Sequence, residues 1–258
     1  MSSKPIGIFD SGVGGLTVLK EINRLMPNEG FVYFGDTANN PYGDKNSDAL
    51  LGYGRSIINF LISQNVKAVL IACGTSSATV YDRLKSEYRI PVADVICPAV
   101  DAVSMYLKKP IGVIATESTV SSGVFEKKII EKYPEAIVRS VACPLFVQLI
   151  EEGWAKKSVT RIVAESYLEA FGEKKIGSLV MGCTHYPLIV DVLTEILPDV
   201  PLIDMAEPAV NYLQKILGDP SEKKCEIKKF FVSGDEKKFS KLAGNIMGIK
   251  IKANKVVI

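Results

Sequence analysis

Two cysteines, Cys73 and Cys183, stand where an apolar run ends and a polar segment begins. The apolar runs cover residues 68–72 and 179–182. Short runs of this kind predict buried strands, and open α/β sheets bind ligands at the carboxyl ends of their strands. A thiol placed there, beside a helix N-terminus, is expected to have a lowered pKa and to be reactive. Two such thiols indicate chemistry from both sides of one site.

An internal repeat relates the two cysteines. Residues 6–11 (Ile-Gly-Ile-Phe-Asp-Ser) resemble residues 111–116 (Ile-Gly-Val-Ile-Ala-Thr), and a helical pattern follows each segment. The spacing from each segment to its cysteine is nearly the same. If two similar α/β halves face each other, both thiols point into one shared cleft. The alternative is two buried core cysteines, since free cysteine is among the most buried residue types. The repeat and the polar residues that follow each thiol favour the cleft.

The composition is that of an ordinary globular protein. The chain has 258 residues, 47% of them hydrophobic, which is enough for one large domain or two small ones. Its 31 basic and 29 acidic residues give a net charge of only +2, so we expect no nucleic-acid partner. The sequence contains neither a signal-peptide pattern nor an apolar run of transmembrane length. These features predict a cytoplasmic protein with no membrane partner.

The cysteine pattern argues against a metal centre. The five cysteines are an odd number, and none of them forms a CxxC pair. In a reducing compartment we therefore expect neither a zinc site nor a disulfide framework. We interpret Cys97, Cys143 and Cys225 as structural, which leaves Cys73 and Cys183 as the catalytic candidates.

Predicted strands and amphipathic helices alternate along the chain. The strands are expected at 5–9, 30–34, 67–72, 90–94, 111–115, 137–141, 177–181, 201–203 and 228–232. The helices are expected at 15–26, 48–64, 77–88, 99–108, 119–132, 145–151, 158–171, 187–196, 206–217 and 236–243. This alternation predicts an α/β fold of two pseudo-symmetric, mainly parallel α/β domains that face a shared cleft. We assign residues 1–97 plus 206–258 to the first domain and 98–205 to the second.

Polar residues next to the predicted strands are further candidates. The loop at 10–15 contains three glycines but lacks the spacing of the dinucleotide fingerprint, so no nucleotide cofactor is expected. Asp10 can hold a substrate ammonium group or polarise a thiol, or it can simply form a turn or cap a helix. The polar loop at 35–43 is a candidate wall of the site.

His185 and a pair of acids complete the set of candidates. His185 is the only histidine and lies two residues beyond Cys183, where it can shift proton affinities, although a lone histidine is usually structural. Glu151 and Glu152 end a short predicted helix, and solvated surface acids are the alternative interpretation.

Together these motifs resemble the glutamate racemase family, the aspartate/glutamate racemases that work without a cofactor. The matching segments are 7–16, 33–36, 41–43, 72–75, 143–146, 151–153 and 182–188, with 232–235 as a later landmark. The resemblance implies that the protein interconverts L- and D-glutamate and so supplies D-glutamate for peptidoglycan. It implies no cofactor, and glutamate as a small-molecule partner.

The resemblance also implies the residue roles. One thiolate of the pair Cys73 and Cys183 removes the α-proton, and the other thiol returns a proton to the opposite face. Asp10 assists beside Cys73, while His185 and Glu152 assist beside Cys183. The expected substrate contacts are Asp10, Ser11, Tyr42, Gly43, Gly74, Thr75, Thr184 and His185. The family usually has asparagine where this chain has Gly74, so one side-chain contact is missing.

Other interpretations remain open at this point. A related aspartate or hydantoin racemase uses the same two-thiol logic on a different substrate. A non-catalytic amino-acid-binding protein on the same scaffold has no need of either thiol. The sequence does not determine the oligomeric state, and a homodimer stays open.

Overall fold

Ten strands and twelve α-helices alternate in the computed structural model, which describes residues 4–172, 176–218 and 224–258. The strands are β1 (Ile6–Asp10), β2 (Phe31–Gly35), β3 (Ala68–Ile71), β4 (Val92–Asp94), β5 (Ile111–Ala115), β6 (Val138–Ala142), β7 (Ser178–Met181), β8 (Leu202–Ile203), β9 (Lys228–Val232) and β10 (Ala253–Lys255). The helices are α1 (Leu16–Leu25), α2 (Ser47–Ser63), α3 (Gly74–Thr79), α4 (Tyr81–Glu87), α5 (Ile96–Ala102), α6 (Glu117–Ser121), α7 (Val124–Lys132), α8 (Leu145–Glu151), α9 (Ser158–Leu168), α10 (Val190–Ile196), α11 (Ala206–Leu217) and α12 (Glu236–Met247).

The strands form two sheets, and every strand pair in them is parallel. The larger sheet has the order β10-β9-β2-β1-β3-β4, and the smaller one has the order β6-β5-β7-β8. The order β2-β1-β3-β4 is repeated as β6-β5-β7-β8, so the sequence repeat corresponds to a repeated sheet. Strands β1 and β5 are buried along their whole length because helices cover both faces of each sheet. The predicted α/β class with two parallel sheets is confirmed.

The element boundaries differ from the prediction in a few places. The predicted helix at 77–88 is two helices, α3 and α4, separated at Val80. The predicted helix at 119–132 is also two, α6 and α7, because Gly123 lies between them with φ of +63°. Strand β10 was not predicted, since Ala-Asn-Lys has no apolar alternation and is recruited by pairing with β9.

One apolar cluster connects the two sheets. It contains Ile8 and Leu70 from the larger sheet together with Val113 and Val180 from the smaller one. Helix α11 packs on α1 and α5, and α5 also packs on α7. The larger sheet takes its strands from residues 6–94 and 228–255, and the smaller sheet takes its strands from residues 111–203. The proposed residue boundaries of two domains, at 97/98 and 205/206, stay a prediction.

Among the described residues, no helix combines the length and the apolar character that crossing a bilayer requires.

Candidate active site

The carboxyl ends of four central strands meet around one cavity. Asp10 ends β1, and Cys73 lies two residues beyond β3; Thr116 follows β5, and Cys183 lies two residues beyond β7. Both thiols line this cavity of about 270 Å³, and both side chains are buried. Its other lining residues are Ser11, Asn40, Pro41, Tyr42, Gly43, Asp44, Gly74, Thr75, Thr116, Glu117, Pro144, Val147, Gln148, Thr184 and His185. The repeat thus brings the two cysteines to a single site.

Cys73 is held in its proton-carrying form. It is the N-cap residue of α3, a position that we expected to lower the pKa of the thiol. Burial instead raises the pKa of Cys73 to about 12, and the Asp10 carboxylate adds to the rise. The backbone N–H of Ser76 offsets only part of this effect. The structure therefore favours the neutral thiol form of Cys73 over the thiolate.

Asp10 is fully buried beside Cys73. Its Oδ2 accepts a hydrogen bond from the Gly12 N–H at 2.8 Å and lies 3.4 Å from the hydroxyl of Tyr33. Its Oδ1 has no hydrogen-bond partner within the described residues. Burial raises the pKa of Asp10, and the charge of His185 opposes that rise. Asp10 is not among the residues that line the cavity, so the structure places this predicted substrate contact behind the cavity wall.

Cys183 is paired with the only histidine of the chain. The Sγ atom of Cys183 lies 3.8 Å from Nδ1 of His185, and Nε2 of His185 lies 3.0 Å from Oε1 of Glu151. Burial alone would lower the pKa of His185, but its hydrogen bonds to Cys183 and Glu151 raise that pKa well above the ordinary value. An imidazole thus lies beside Cys183, whereas the carboxylate of Asp10 lies near Cys73. The two thiols therefore have different environments.

The acidic partner of His185 is Glu151, so the choice of Glu152 from the sequence is corrected here. The Glu152 side chain is 62% exposed and pairs with Lys238 at 3.1 Å. Glu151 is four residues after Val147, which lines the cavity, and residues with this spacing share one face of a helix. Glu152 has the same spacing from Gln148, which also lines the cavity, so the sequence contains no signal that distinguishes the two acids.

The other predicted substrate contacts all line the cavity. Ser11, Gly43, Gly74, Thr75 and Thr184 lie there, as does Tyr42. The hydroxyl of Tyr42 donates a 2.5 Å hydrogen bond to Asp36, and burial together with that carboxylate raises the pKa of Tyr42. The Tyr42 side chain therefore forms a wall of the site, and its hydroxyl is already engaged.

The sequence analysis did not single out three residues that help to shape the site, although two of them, Asp36 and Asn40, lie in the loop at 35–43. Asp36 is buried and accepts hydrogen bonds from Tyr42, Asn39 and Ser233, which fixes the loop that follows β2. The hydroxyl of Thr116 lies 2.9 Å from that of Thr75, across the cleft between the sheets. The third residue, Asn40, contacts Glu151. Asp36 stands in a segment that matches the family, whereas the partners of Thr116 and Asn40 are distant in the sequence.

Gly74 lies against the backbone of the opposite half. A Cβ atom added at Gly74 would be 2.5 Å from the carbonyl oxygen of Gly182, the residue before Cys183. Real Cβ contacts are essentially never this short, and a backbone carbonyl cannot rotate away as a flexible side chain can. The two thiol-bearing loops approach each other this closely because residue 74 has no side chain.

Comparison with known proteins gives the family of this chain. The family model described as Asp/Glu/Hydantoin racemase matches residues 36–213. The glutamate racemase of Thermoanaerobacter pseudethanolicus is 43% identical over 261 residues, covering 97% of this chain and 96% of that protein. The chain belongs to the Asp/Glu/hydantoin racemase family. It is therefore an enzyme, an isomerase that acts on amino acids or related compounds.

Solved structures agree with the racemase assignment. The glutamate racemase of Francisella tularensis, crystallised in complex with D-glutamate, superposes with a TM-score of 0.92 at 37% identity, covering 100% of this chain and 98% of that one. The aspartate racemase of Picrophilus torridus has a TM-score of 0.58 at 19% identity, covering 83% of this chain and 94% of that one, and shares the fold alone.

Within the described part of this racemase, no group of three or more histidine, cysteine, aspartate or glutamate side chains has the arrangement of a metal site. The expectation that no metal takes part stays a prediction.

Proposed function

We propose that this racemase interconverts L- and D-glutamate, with Cys73 and Cys183 as an acid/base pair on opposite faces of the substrate. The observation that carries the proposal is that both strand-end thiols line the same cavity. The relatives with about 40% identity over nearly the full chain are glutamate racemases, which favours glutamate over other substrates. Aspartate and hydantoin remain the alternative substrate classes.

The proposed reaction transfers two protons and needs no redox step. A thiolate takes the α-proton, and the electrons of the C–H bond move into the α-carboxylate as a carbanion-like state. The opposite thiol then donates its proton to the other face of the α-carbon, which leaves that sulfur as the thiolate. In one direction Cys183, which lies beside His185, is the base and Cys73 is the acid. The roles exchange in the other direction.

The carbanion-like state needs fixed hydrogen-bond donors, because the α-proton beside a carboxylate is very weakly acidic. The candidate donors are the backbone amides around Ser11, Gly43, Thr75 and Thr184, with the two threonine hydroxyls. Burial of the cavity strengthens each of these interactions by excluding water.

Circular dichroism of incubated amino acids tests the substrate. L-glutamate should lose its signal until the mixture is racemic, whereas L-aspartate should stay unchanged over the same time. Racemisation of aspartate alone would identify the alternative substrate. Binding of glutamate without loss of signal would indicate the non-catalytic amino-acid-binding protein.

In the cell, the proposed reaction supplies D-glutamate for peptidoglycan in the cytoplasm. Expression of the chain in a bacterium that requires external D-glutamate should then restore growth without the supplement. Absence of rescue by an active, soluble enzyme would contradict this role. Analytical ultracentrifugation measures the oligomeric state and so tests whether the protein is a homodimer.

Solvent hydrogen should label the product before the substrate. In heavy water, the thiol that removes the α-proton differs from the thiol that delivers solvent-derived deuterium. Early D-glutamate formed from L-glutamate should carry α-deuterium, while the remaining L-glutamate carries little. Mass spectrometry of the separated enantiomers at low conversion measures both. Predominantly unlabelled D-glutamate would indicate one group that carries the original proton across.

Racemisation should need neither pyridoxal phosphate nor nicotinamide. The site supplies two proton carriers from the chain itself, so activity should survive exhaustive dialysis. Borohydride added with substrate should not inactivate the enzyme, since no Schiff base forms. A chromophore that is required for turnover, seen as absorbance beyond the aromatic band, would contradict the two-thiol assignment.

A further inference from the structure

Asn40 makes a hydrogen bond that crosses the cleft. It lies on the loop after β2, which belongs to the larger sheet, and its Nδ2 donates to Oε2 of Glu151 at 2.7 Å. Glu151 ends α8, between β6 and β7 of the smaller sheet. A carboxylate has only acceptor oxygens, so the amide must present its NH₂ group to Glu151. This bond therefore connects the two halves at the edge of the active site.

Glu151 and His185 connect this hydrogen bond to Cys183. Oε1 of Glu151 is 3.0 Å from Nε2 of His185, and Nδ1 of His185 is 3.8 Å from the sulfur of Cys183. Each oxygen of the Glu151 carboxylate thus has its own donor, one from each half of the molecule. A Cβ atom at Gly12 would be 2.7 Å from Oε1 of Glu151, so the backbone also limits where the carboxylate can lie.

We propose that Asn40 is a positioning residue, which fixes the Glu151 carboxylate so that His185 is held against Cys183 only when the loop after β2 lies against α8. The proposal rests on the proposed function, since it assigns a task in that reaction. Asn40 itself is not a catalytic residue, because it acts through Glu151 and His185.

Charged and titratable groups surround Glu151 on several sides. Burial alone would raise the pKa of Glu151, but hydrogen bonds from His185 and Asn40 lower it below the ordinary value. The groups that face or interact with Glu151 are His185, Lys238, Lys241, Asp10, Tyr33, Glu152 and Asp235. Lys238 offers Glu151 a competing partner on the outer side, so loss of the Asn40 bond frees the carboxylate to turn away from His185.

A double-mutant cycle separates positioning from a general effect on the loop. Asn40→Ala should lower kcat about tenfold in the wild-type background, because a hydrogen bond to a charged group is lost. In a Glu151→Ala background the same substitution should lower kcat less than about twofold, because Asn40 would have nothing left to position. Equal losses in both backgrounds would overturn the proposal. Asn245→Ala is the matched control, because Asn245 is exposed in the outer groove that Glu151 also lines.

The single histidine gives a second readout that does not depend on turnover. Nitrogen-15 NMR of labelled histidine reports His185 without assignment, since the chain has 1 histidine. In Asn40→Ala the titration midpoint of this imidazole should move to lower pH, because Glu151 no longer holds it. An unchanged midpoint, or one that moves to higher pH, would overturn the positioning role. Asn245→Ala should leave the titration as in the wild type.

Asn40→Asp provides a pH signature that a merely structural role would not produce. The introduced carboxyl can donate to Glu151 when protonated, as the amide does, but it repels Glu151 when ionised. The kcat of this variant, relative to wild type, should therefore be highest at the acidic end and fall as pH rises. A ratio that does not change with pH would contradict the proposal. Failure of the wild type to racemise glutamate would instead refute the proposed function, and the NMR titration would still test Asn40.

Discussion

Replacing either Cys73 or Cys183 by alanine is expected to lower the rate of glutamate racemisation by about two to four orders of magnitude. Each direction of the reaction needs one sulfur to take a proton and another to give one. Neither thiol can substitute for the other, since the two lie at the ends of different sheets. Racemisation is measured by circular dichroism, and thermal melting shows whether each variant is folded.

Cys97→Ala is the matched control for this loss. Cys97 is half-buried in α5 and does not line the cavity, so its variant should stay within about twofold of wild type. Near wild-type racemisation by a folded Cys73→Ala or Cys183→Ala variant would refute the two-thiol assignment.

The single variants should also differ from each other in hydrogen exchange. A variant with one remaining thiol can remove and return a proton on one face without inverting the α-carbon. In heavy water, any exchange of the α-hydrogen by Cys73→Ala should therefore occur in one enantiomer. Any exchange by Cys183→Ala should occur in the other enantiomer. Exchange of the same enantiomer by both variants would contradict the placement of the thiols on opposite faces.

Gly74→Asn is expected to lower kcat about 100-fold, because a displacement of about 1 Å between reacting groups has an effect of this size. The substitution restores the side chain that the family usually has, so a simple argument from the missing contact would predict tighter binding. The structure predicts the opposite, since a Cβ atom would meet the carbonyl oxygen of Gly182 at 2.5 Å. Moving Gly182 also moves Cys183, the next residue. Gly74→Ala should show the same loss, because the Cβ atom alone causes the clash.

Steady-state kinetics distinguish the two explanations for residue 74. A lower KM with unchanged kcat in Gly74→Asn would mean that the side chain fits and that this chain had lost a substrate contact. Gly52→Ala is the control, because Gly52 lies in α2 with no atom within 4 Å of an added Cβ. That variant should keep its activity and gain about 0.5–1 kcal/mol of stability from higher helix propensity.

The sequence by itself determined the scaffold and the positions of the two candidate thiols. Apolar runs of four or five residues between helical patterns predict buried strands, so β1, β3, β5 and β7 follow from local composition. Each cysteine directly follows such a run, and the carboxyl ends of parallel strands lie at one edge of a sheet. Repetition of the pattern then predicted that two such edges face each other.

Only the tertiary structure decided which polar groups meet in the cleft. Glu151 rather than Glu152 reaches His185 because α8 turns one of two adjacent acids inward and the other toward Lys238. The pKa of Cys73 rises because burial and a neighbouring carboxylate outweigh the helix N-terminus, and neither follows from local sequence.

The tertiary structure also decided the contacts that cross the cleft. Asn40 is 111 residues from Glu151 in the chain, and Gly74 is separated from Gly182 by a similar length. A local pattern specifies which residue can form a turn or start a helix. It does not specify which distant group the residue will touch, because packing of the two halves sets that distance.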